Sequence, residues 1–265
     1  TITTYFNRPG NGTYVHPVHE RVLTVREAAR FQAFKDDYYF YGNKTQHLKQ
    51  VGNAVPTLLA YQIAREIKKK TGCSKSIDLF CGAGGFSTGL EMAGFNCIGG
   101  IDNVDVIVKT HALNHKNSKS ICGDIREIPP EKFSEIIGNQ KVDVIIGGPP
   151  CPTFSTIGDA KIRSVTGKPT EEDPRNQLFL EYLKYVDFFR PEIFVIENVP
   201  NFITKYKSKI FNTAVEIIES IGKEENNGVG LYEVIKPVQV LNSVYYGVPQ
   251  TRKRMLLVAH KKKKK

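Results

Sequence analysis

The chain has 265 residues, of which 40% are hydrophobic and 24% are charged, as is usual for a folded globular protein. We find no apolar run near the roughly 20 residues that cross a bilayer, and no signal-peptide pattern, which disfavours the membrane and secreted classes. The net charge is +10, of which residues 261–265 supply five as a lysine run that we interpret as a solvated tail. The remainder is still basic, which favours a polyanionic partner.

The cysteines and histidines do not predict a disulfide framework or a metal site. The five cysteines are odd in number and scattered without a CxxC pair, and the six histidines lack ligand spacing. Cysteine usage of this kind favours a reducing compartment, which we take to be the cytoplasm of a bacterium.

The N-terminal part of the chain predicts two helices. Residues 1–20 contain prolines and glycines that break regular structure. A helix is predicted from about Thr24 to Phe31, because Thr24 can cap it and Glu27 completes a capping box. Residues 51–56 predict a turn, which leads into an amphipathic helix from Thr57 to about Lys69, ended by Gly72.

From residue 75 onward, strand-like and helical patterns alternate. The strand-like runs cover residues 76–81, 96–101, 142–147, 192–197 and 254–259. The clearest helical patterns cover residues 86–93, 176–189 and 209–222. This alternation predicts a doubly wound, mostly parallel α/β sheet.

A glycine-rich turn follows the first predicted strand, with the sequence DLFCGAGGF at residues 78–86. Glycines there let the backbone approach a ligand and let the next helix pack closely on the strand. The turn departs from the dinucleotide fingerprint, because Ser87 occupies the third glycine position. Taken alone, the turn indicates either a nucleotide-like cofactor or a tight structural turn.

Acidic side chains follow the next two strands of the predicted sheet. Asp102 is placed to accept hydrogen bonds from ribose hydroxyls, and Asp124 is placed to contact an adenine amine. Each aspartate singly is more often a helix cap or a turn residue. The ordered set is more specific for a nucleoside cofactor.

Cys151 follows a double proline at the end of an apolar, strand-like run. Chemistry in α/β sheets lies beyond the carboxyl ends of the strands, and two fixed φ angles stiffen the backbone that presents this thiol. A free thiol is a poor nucleophile near neutral pH, so a catalytic role needs a site that activates the thiol or its electrophile. The alternative is a strand-end cysteine that only packs.

Six short motifs in this chain have the residue types of a known family. Four of them are DLFCGAGGF at residues 78–86, GPPC at 148–151, ENV at 197–199 and QTRKR at 250–254. The other two are RVLTVREAAR at residues 21–30 and QVGNAVP at residues 50–56. Together they resemble the cytosine-5 DNA methyltransferases over nearly the whole chain. The resemblance implies a Rossmann-like, class I S-adenosylmethionine-dependent methyltransferase fold.

The resemblance also implies a covalent mechanism. Cys151 is expected to attack C6 of a flipped-out cytosine, and Glu197 is expected to contact N3. Arg252 is expected to support the base and its O2, with Arg254 supporting the glutamate and the loop. These residue types suit the chemistry, because thiolate addition at C6 makes C5 nucleophilic and a carboxyl group at N3 relieves ring charge. The base has to leave the DNA stack to be reached.

The implied cofactor is S-adenosyl-L-methionine, with S-adenosyl-L-homocysteine as the product. Its predicted contacts lie in the glycine turn, after the next strands, beside the cysteine and in the N-terminal segment. They are Asp78, Phe80, Gly82, Gly84, Gly85, Asp102, Asn103, Asp124, Ile125, Pro150, Asn53 and Val55.

The motif order differs from the usual family order, in which the cofactor turn comes first and the GNAVP segment comes last. Here the latter pair leads, so the chain resembles a circular permutant. We assign residues 1–72 to an N-terminal segment that is part of the catalytic domain. Residues 73–260 are the catalytic and cofactor-binding domain, and residues 261–265 are the lysine tail.

The implied substrate is double-stranded DNA, as in a restriction-modification system, with neither a membrane nor a metal involved. We see no target-recognition domain in the chain and predict that a second polypeptide supplies it in a heterodimer. This partner would dock on an aromatic patch around Tyr5, Phe6, Tyr245 and Tyr246. A shortened chain, or a minimal enzyme of relaxed specificity, is the competing explanation.

Two other functions stay open. The first is a tRNA cytosine-5 methyltransferase on the same scaffold, whose relatives tend to carry a Cys-Phe-Thr segment that is not found here. The second is a non-catalytic, DNA-binding regulatory homologue, which would be expected to lose Cys151 or Glu197. Both of these residues are present.

Overall fold

The computed structural model describes residues 1–8, 15–150, 174–204 and 209–263. The helices in these ranges are α1 Val25–Phe31, α2 Lys44–Asn53, α3 Thr57–Thr71, α4 Gly85–Met92, α5 Asp105–Asn114, α6 Pro130–Ile136, α7 Pro174–Phe189, α8 Asn201–Thr204 and α9 Lys209–Ser220. The strands are β1 Lys75–Leu79, β2 Asn96–Asp102, β3 Lys119–Cys122, β4 Val144–Gly147, β5 Ile193–Asn198, β6 Tyr232–Val234, β7 Gln239–Asn242 and β8 Lys253–Lys261.

Local signals fix the first and third helices. Thr24 caps α1: its side chain accepts a hydrogen bond from the backbone N–H of Glu27, and the Glu27 carboxylate accepts one from the backbone N–H of Thr24. α3 ends where Gly72 adopts a left-handed φ of 70°. Both predicted helices are therefore confirmed.

The turn predicted over residues 51–56 is wrong in its first half, because α2 extends into it. Asn43 caps this helix in a reciprocal pair of hydrogen bonds with Gln46. Gly52 lies within the helix, and a Cβ there would lie 2.5 Å from the backbone of Thr3. This glycine allows a close backbone approach rather than ending the helix.

Contacts divide the chain into two compact units. The first consists of Thr1–Asp124 and Asn242–Arg252, and the second consists of Ile125–Leu241 and Lys253–Lys265. The division at residues 72 and 260, which follows the motif order, stays a prediction.

In the first unit, β2 lies between β1 and β3, and all three strands are parallel. Leu79 pairs with Ile101, so the turn after β1 and the end of β2 lie side by side. Helices α3 and α4 pack closely, because a Cβ on Gly89 would overlap with Ala60. The N-terminal segment contributes a buried cluster of Ile2, Phe6, Leu23, Ala28, Ala29, Phe34, Tyr38, Phe40, Leu48, Val51, Ala54 and Ala83.

In the second unit, β4 and β5 are parallel, and β8 is antiparallel to both β5 and β6. β7 also pairs with β8. Helix α7 buries Tyr182, whose hydroxyl lies within hydrogen-bonding distance of the carbonyls of Ile145 and Val195. The mostly parallel α/β fold that the sequence predicts is confirmed.

The predicted aromatic patch is wrong at one of its members. Phe6 is 0% exposed, because it belongs to the buried N-terminal cluster. Tyr5 is 39% exposed and Tyr245 is 82% exposed. The sequence around Tyr5 and Phe6 does not show which of the two neighbouring rings is buried.

Candidate active site

The turn between β1 and α4 has an unusual backbone. Three of its residues have left-handed φ angles: Phe80 at 63°, Gly82 at 53° and Gly84 at 85°. Glycine adopts such angles at little cost, whereas a phenylalanine does so rarely and under strain. Strained backbone of this kind is concentrated at functional sites.

The glycines of this turn have different surroundings. A Cβ on Gly84 would lie 2.6 Å from the Tyr38 hydroxyl, and one on Gly85 would overlap with the carbonyl of Val55. A Cβ on Gly82 would have no described heavy atom nearer than the carbonyl oxygen of Phe80, at 4.0 Å. As far as the described residues go, the turn is therefore closed by protein at Gly84 and Gly85 and open at Gly82, as a site for a ligand requires.

Asp102 at the end of β2 is bonded to the same turn. Its Oδ2 accepts from the backbone N–H of Gly82 at 3.1 Å, and its Oδ1 accepts from that of Val104 at 3.1 Å. Burial raises the pKa of Asp102, and the backbone donors oppose that shift. A carboxylate has about four acceptor positions, so Asp102 retains capacity for the hydroxyls of a ribose.

The other predicted cofactor contacts of the first unit lie in different surroundings. Asn53 and Asn103 are exposed, and Val55 and Asp124 are half-buried. Asp78 is 1% exposed and accepts a hydrogen bond of 2.6 Å from the Ser87 hydroxyl, while burial raises its pKa to about 7. The structure gives Asp78 a partner inside the protein, and its contact with a cofactor stays a prediction.

Glu197 and Arg254 form an ion pair in the second unit. Arg254 Nε lies 2.6 Å from Glu197 Oε1, and the two side chains are 17% and 13% exposed. They are placed on adjacent antiparallel strands, with Leu256 directly opposite Glu197. A Cβ on Gly148 would lie 3.2 Å from Glu197 Oε2, which is a tight contact, so the glycine leaves more room beside the carboxylate.

The segment that leads to Cys151 is attached to the end of β5. Asn198 Nδ2 donates to the carbonyl of Pro149 at 3.2 Å. Of the predicted cofactor contacts in this unit, Pro150 is exposed and Ile125 is buried. Cys151 itself lies outside the described residues.

Arg252 belongs to the first unit and has different partners from Arg254. Its side chain is 2% exposed, and its guanidinium donates to the carbonyls of Ile2 and Gly52, each at 2.9 Å. The structure thus brings Arg254 to Glu197 and brings Arg252 to the N-terminal segment. A contact of Arg252 with the cytosine base stays a prediction.

A buried polar network beside the glycine turn was not predicted. Its members come from the N-terminal segment and from β1, α4, α5 and β3. They are Tyr38, Asp78, Ser87, Glu91, His111, His115 and Ser120. One member, Ser87, stands out in the sequence, because it occupies the third glycine position of the dinucleotide fingerprint.

Within the described ranges, no helix is long and apolar enough to cross a membrane. Within the same residues, no three His, Cys, Asp or Glu side chains are grouped to hold a metal ion.

Comparison with known proteins supports the motif assignments. The model of the family "C-5 cytosine-specific DNA methylase" matches residues 2–69 and 74–265. The chain is 39% identical over 186 residues to Type II methyltransferase M.DdeI of Desulfomicrobium norvegicum, covering 70% of this chain and 40% of that protein. It is 34% identical over 193 residues to Type II methyltransferase M.AquIA of Picosynechococcus sp., covering 71% of this chain and 72% of that protein.

A solved structure is also similar. It is the crystal structure of a candidate DNA modification methyltransferase encoded within a prophage of E. coli, with a TM-score of 0.57 and 28% identity. The match covers 71% of this chain and 47% of that chain. The fold is therefore the Rossmann-like fold of S-adenosylmethionine-dependent methyltransferases.

The coverage of the relatives is uneven. The chain spans about two fifths of the length of M.DdeI and of further curated relatives, but 72% of M.AquIA. The family match, by contrast, includes all six motifs. The chain belongs to the C-5 cytosine-specific DNA methylase family.

Proposed function

We propose that this chain carries the catalytic part of a DNA (cytosine-5-)-methyltransferase in a restriction-modification system. The observation that carries the proposal is the ion pair of Glu197 and Arg254 beside Gly148, three residues before Cys151. The family match and the Type II methyltransferase names of the relatives support cytosine in DNA as the substrate.

Glu197 is assigned to N3 of the cytosine. Negative charge develops on the ring when a thiolate adds at C6, and a carboxyl group beside N3 can neutralise this charge by transferring a proton to N3. Arg254 fixes the orientation of this carboxyl group through the 2.6 Å contact. Because the orientation exists before the substrate binds, it does not have to be created during the reaction.

Cys151 is assigned as the nucleophile. Its sulfur forms a bond to C6, which moves electron density to C5 and makes that carbon able to accept a methyl group. Once C5 carries the methyl group, loss of the C5 proton and breakage of the bond from sulfur to C6 restore the aromatic ring and free the thiolate. A base in a stacked duplex cannot be attacked in this way, so we infer that the target cytosine is flipped out.

The turn between β1 and α4 is assigned to S-adenosylmethionine. This cofactor supplies the electrophilic methyl group when it is bound. Gly82 leaves space for its backbone approach, and Asp102 is assigned to its ribose hydroxyls. Asp124 is assigned to the adenine amine, and the remaining predicted contacts complete this proposal.

A labelling experiment tests the reaction. Purified protein is incubated with methyl-labelled S-adenosylmethionine and either mixed-sequence double-stranded DNA or tRNA. We expect label in DNA, and we expect a covalent adduct with DNA that contains 5-fluorocytosine, since the C5 fluorine blocks elimination. Label in tRNA alone would favour the tRNA enzyme, and cofactor binding without transfer to either substrate would favour a regulatory homologue.

Calorimetry tests the cofactor site separately. Asp102→Ala should weaken S-adenosylmethionine binding by about tenfold or more, because hydrogen bonds to a charged group contribute roughly 1.5–3 kcal/mol. The exposed Asp105, paired with Lys109 at 2.7 Å on α5, offers a matched control as Asp105→Ala. An unchanged affinity in Asp102→Ala would remove this carboxylate from the ribose contact.

The predicted second polypeptide is part of the same proposal. Contacts with base edges select a DNA sequence, whereas contacts with phosphates do not. Size-exclusion chromatography and methylation assays on the chain alone test this point. Sequence-specific methylation by the monomeric chain would contradict the need for a partner. We also propose a cytoplasmic location, because an enzyme that methylates DNA has to be in the compartment that contains the DNA.

A further inference from the structure

Tyr38 connects the N-terminal segment with the turn between β1 and α4. Its hydroxyl donates a hydrogen bond to the carbonyl of Ala83 in that turn. The same oxygen lies 2.6 Å from the position of a Cβ on Gly84. The side chain is buried, and burial raises the pKa of the Tyr38 phenol, so this group stays a hydrogen-bond donor.

His115 holds the Tyr38 hydroxyl in place. Its Nε2 lies 3.1 Å from the phenol oxygen, and its Nδ1 lies 2.9 Å from Oε2 of Glu91 on α4. The two ring nitrogens thus place the imidazole between the Glu91 carboxylate and the Tyr38 phenol, and the tautomer decides which atom donates in each contact. Glu91 therefore orients the imidazole, and the imidazole orients the phenol.

A second branch holds the elements on either side of the turn. Ser87 on α4 donates to Asp78 on β1 at 2.6 Å, and its oxygen lies 3.1 Å from His111 Nε2. The rings of His111 and His115 are neighbours, with centroids 4.4 Å apart. His111 on α5 thus contacts the helix after the turn, and Ser87 of that helix bonds the strand before the turn.

We propose that Tyr38 is a positioning residue of the S-adenosylmethionine site, which holds the Ala83 carbonyl so that the Gly82 side of the turn stays open to the cofactor. This inference rests on the proposed function, which requires that cofactor. The left-handed φ of Phe80 means that local preference alone does not maintain the turn. A hydrogen bond from outside the turn supplies the missing restraint.

Packing is the other role that Tyr38 fills, and it can be separated from positioning. The Tyr38 ring contacts Phe34 and Phe40, with centroids 4.5 and 5.4 Å apart. Tyr38→Phe keeps these ring contacts and removes only the hydroxyl. A purely structural hydroxyl would affect stability but not the affinity for one ligand.

Tyr185 on α7 provides a matched control. It is also fully buried, and its hydroxyl donates to a backbone carbonyl, that of Ile128, at 2.6 Å. It belongs to the second unit, whereas the glycine turn belongs to the first. Tyr185→Phe therefore removes an equivalent hydrogen bond in the other unit.

The test measures S-adenosylmethionine affinity by calorimetry and thermal stability for the wild type and both variants. We expect Tyr38→Phe to weaken cofactor binding by about tenfold, the usual effect of one buried hydrogen bond. Both variants should lower the melting temperature by similar amounts, because each loses one buried hydrogen bond. Tyr185→Phe should leave the affinity for S-adenosylmethionine unchanged. In methylation assays, Tyr38→Phe should raise the KM for the cofactor and leave the KM for DNA unchanged.

Two results would overturn the inference in distinguishable ways. If the wild type binds the cofactor and Tyr38→Phe binds it equally well, the hydroxyl has a structural role only and the proposed function stands. If the wild type does not bind S-adenosylmethionine, the proposed function fails, and the inference fails with it.

Discussion

The turn after β1 and the carboxylate of Glu197 are supported in different ways. Around the turn, Tyr38 donates to the Ala83 carbonyl, Asp102 accepts from the Gly82 N–H, and His111 on α5 contacts Ser87 on the following helix. At Glu197, an ion pair with Arg254 joins two charged side chains of adjacent strands. The turn is thus held largely through its backbone, whereas the carboxylate is oriented by a charge-assisted contact between side chains.

This difference separates two kinds of expected defect. Substitutions around the turn should change stability and cofactor affinity together, because the same bonds serve both. Substitutions at Glu197, Arg254 or Cys151 should remove the reaction with little effect on cofactor affinity. The following predictions start with the largest expected effect.

Cys151→Ser should have the largest effect on activity. A hydroxyl is a far weaker nucleophile than a thiolate, so we expect a loss of kcat of about a millionfold, the order seen when a nucleophile is removed from other enzymes. Affinity for S-adenosylmethionine should stay within twofold of wild type by calorimetry. Methylation that persists in this variant, or an adduct with 5-fluorocytosine DNA, would contradict the assignment.

Glu197→Gln should have the next largest effect, a decrease in kcat of about 10²–10⁴, the range for a lost acid-base group. Glu181→Gln is the matched control, because Glu181 pairs with Lys184 on α7 at 2.9 Å and its side chain is 17% exposed. Steady-state methylation assays should separate the two variants. Equal activities would show that Glu197 has only a structural role.

Gly84→Ala and Gly82→Ala sharpen the comparison within the turn. Both add a Cβ at a left-handed φ, which costs about 1–2 kcal/mol. At Gly84 the new methyl group also meets the Tyr38 hydroxyl, and overpacking adds about 1–3 kcal/mol. Urea unfolding should therefore show the larger loss for Gly84→Ala.

The loss of cofactor affinity relative to the loss of stability should be larger for Gly82→Ala than for Gly84→Ala. Gly82→Ala should weaken S-adenosylmethionine binding more than its small effect on the free energy of unfolding suggests, since its Cβ would enter the open side. Normal affinity in Gly82→Ala would mean that the cofactor does not approach this glycine.

Asp78→Asn should have the smallest effect, which appears in the pH dependence of stability. Burial raises the pKa of Asp78 to about 7, so the folded protein retains a proton that the unfolded chain releases near pH 4. Between these values the folded state binds more protons, and this carboxyl group makes stability fall as pH rises. Burial also lowers the pKa of His111 to about 3, which makes stability rise over about pH 3–6.5.

Asp78→Asn removes the contribution of this carboxyl group to the pH dependence of stability and should leave that of His111. Relative to wild type, Asp78→Asn should therefore gain about 1 kcal/mol or more between pH 4.5 and pH 7 in urea unfolding. A constant difference between the two proteins across this range would show that Asp78 is ionised in the folded state at low pH.

Local signals in the sequence predict the elements better than the network that joins them. The capping box of Thr24 and Glu27 and the terminal Gly72 lie within a few residues of the helix ends that they define. Tyr38 and His115 are 77 positions apart, and no periodicity links them. The sequence predicts a turn at the end of helix α2, because Gly52 resembles a turn residue. The reason for a glycine at this position is the close backbone of Thr3, which is distant in sequence.

The candidate site shows the same division. The motifs point to the turn and to Glu197, and the end of a strand points to Asp102. The resemblance assigns Arg254 to the glutamate, with which it pairs, but it gives no sign that Arg252 donates to the carbonyls of Ile2 and Gly52. Which arginine turns inward depends on long-range packing.

The bonds of Gln250 and Arg252 have a practical consequence for cutting the chain. Gln250 accepts from the backbone N–H of Ile2 at 2.9 Å and donates to the carbonyl of Phe31 at 2.8 Å, and Arg252 adds its two bonds. The peptide link after α3, by contrast, is exposed at Gly72. A protease that nicks the chain there would leave both pieces associated through these bonds and the contact of α3 with α4. The two pieces, expressed separately, would then be suitable as halves of a fragment-complementation reporter.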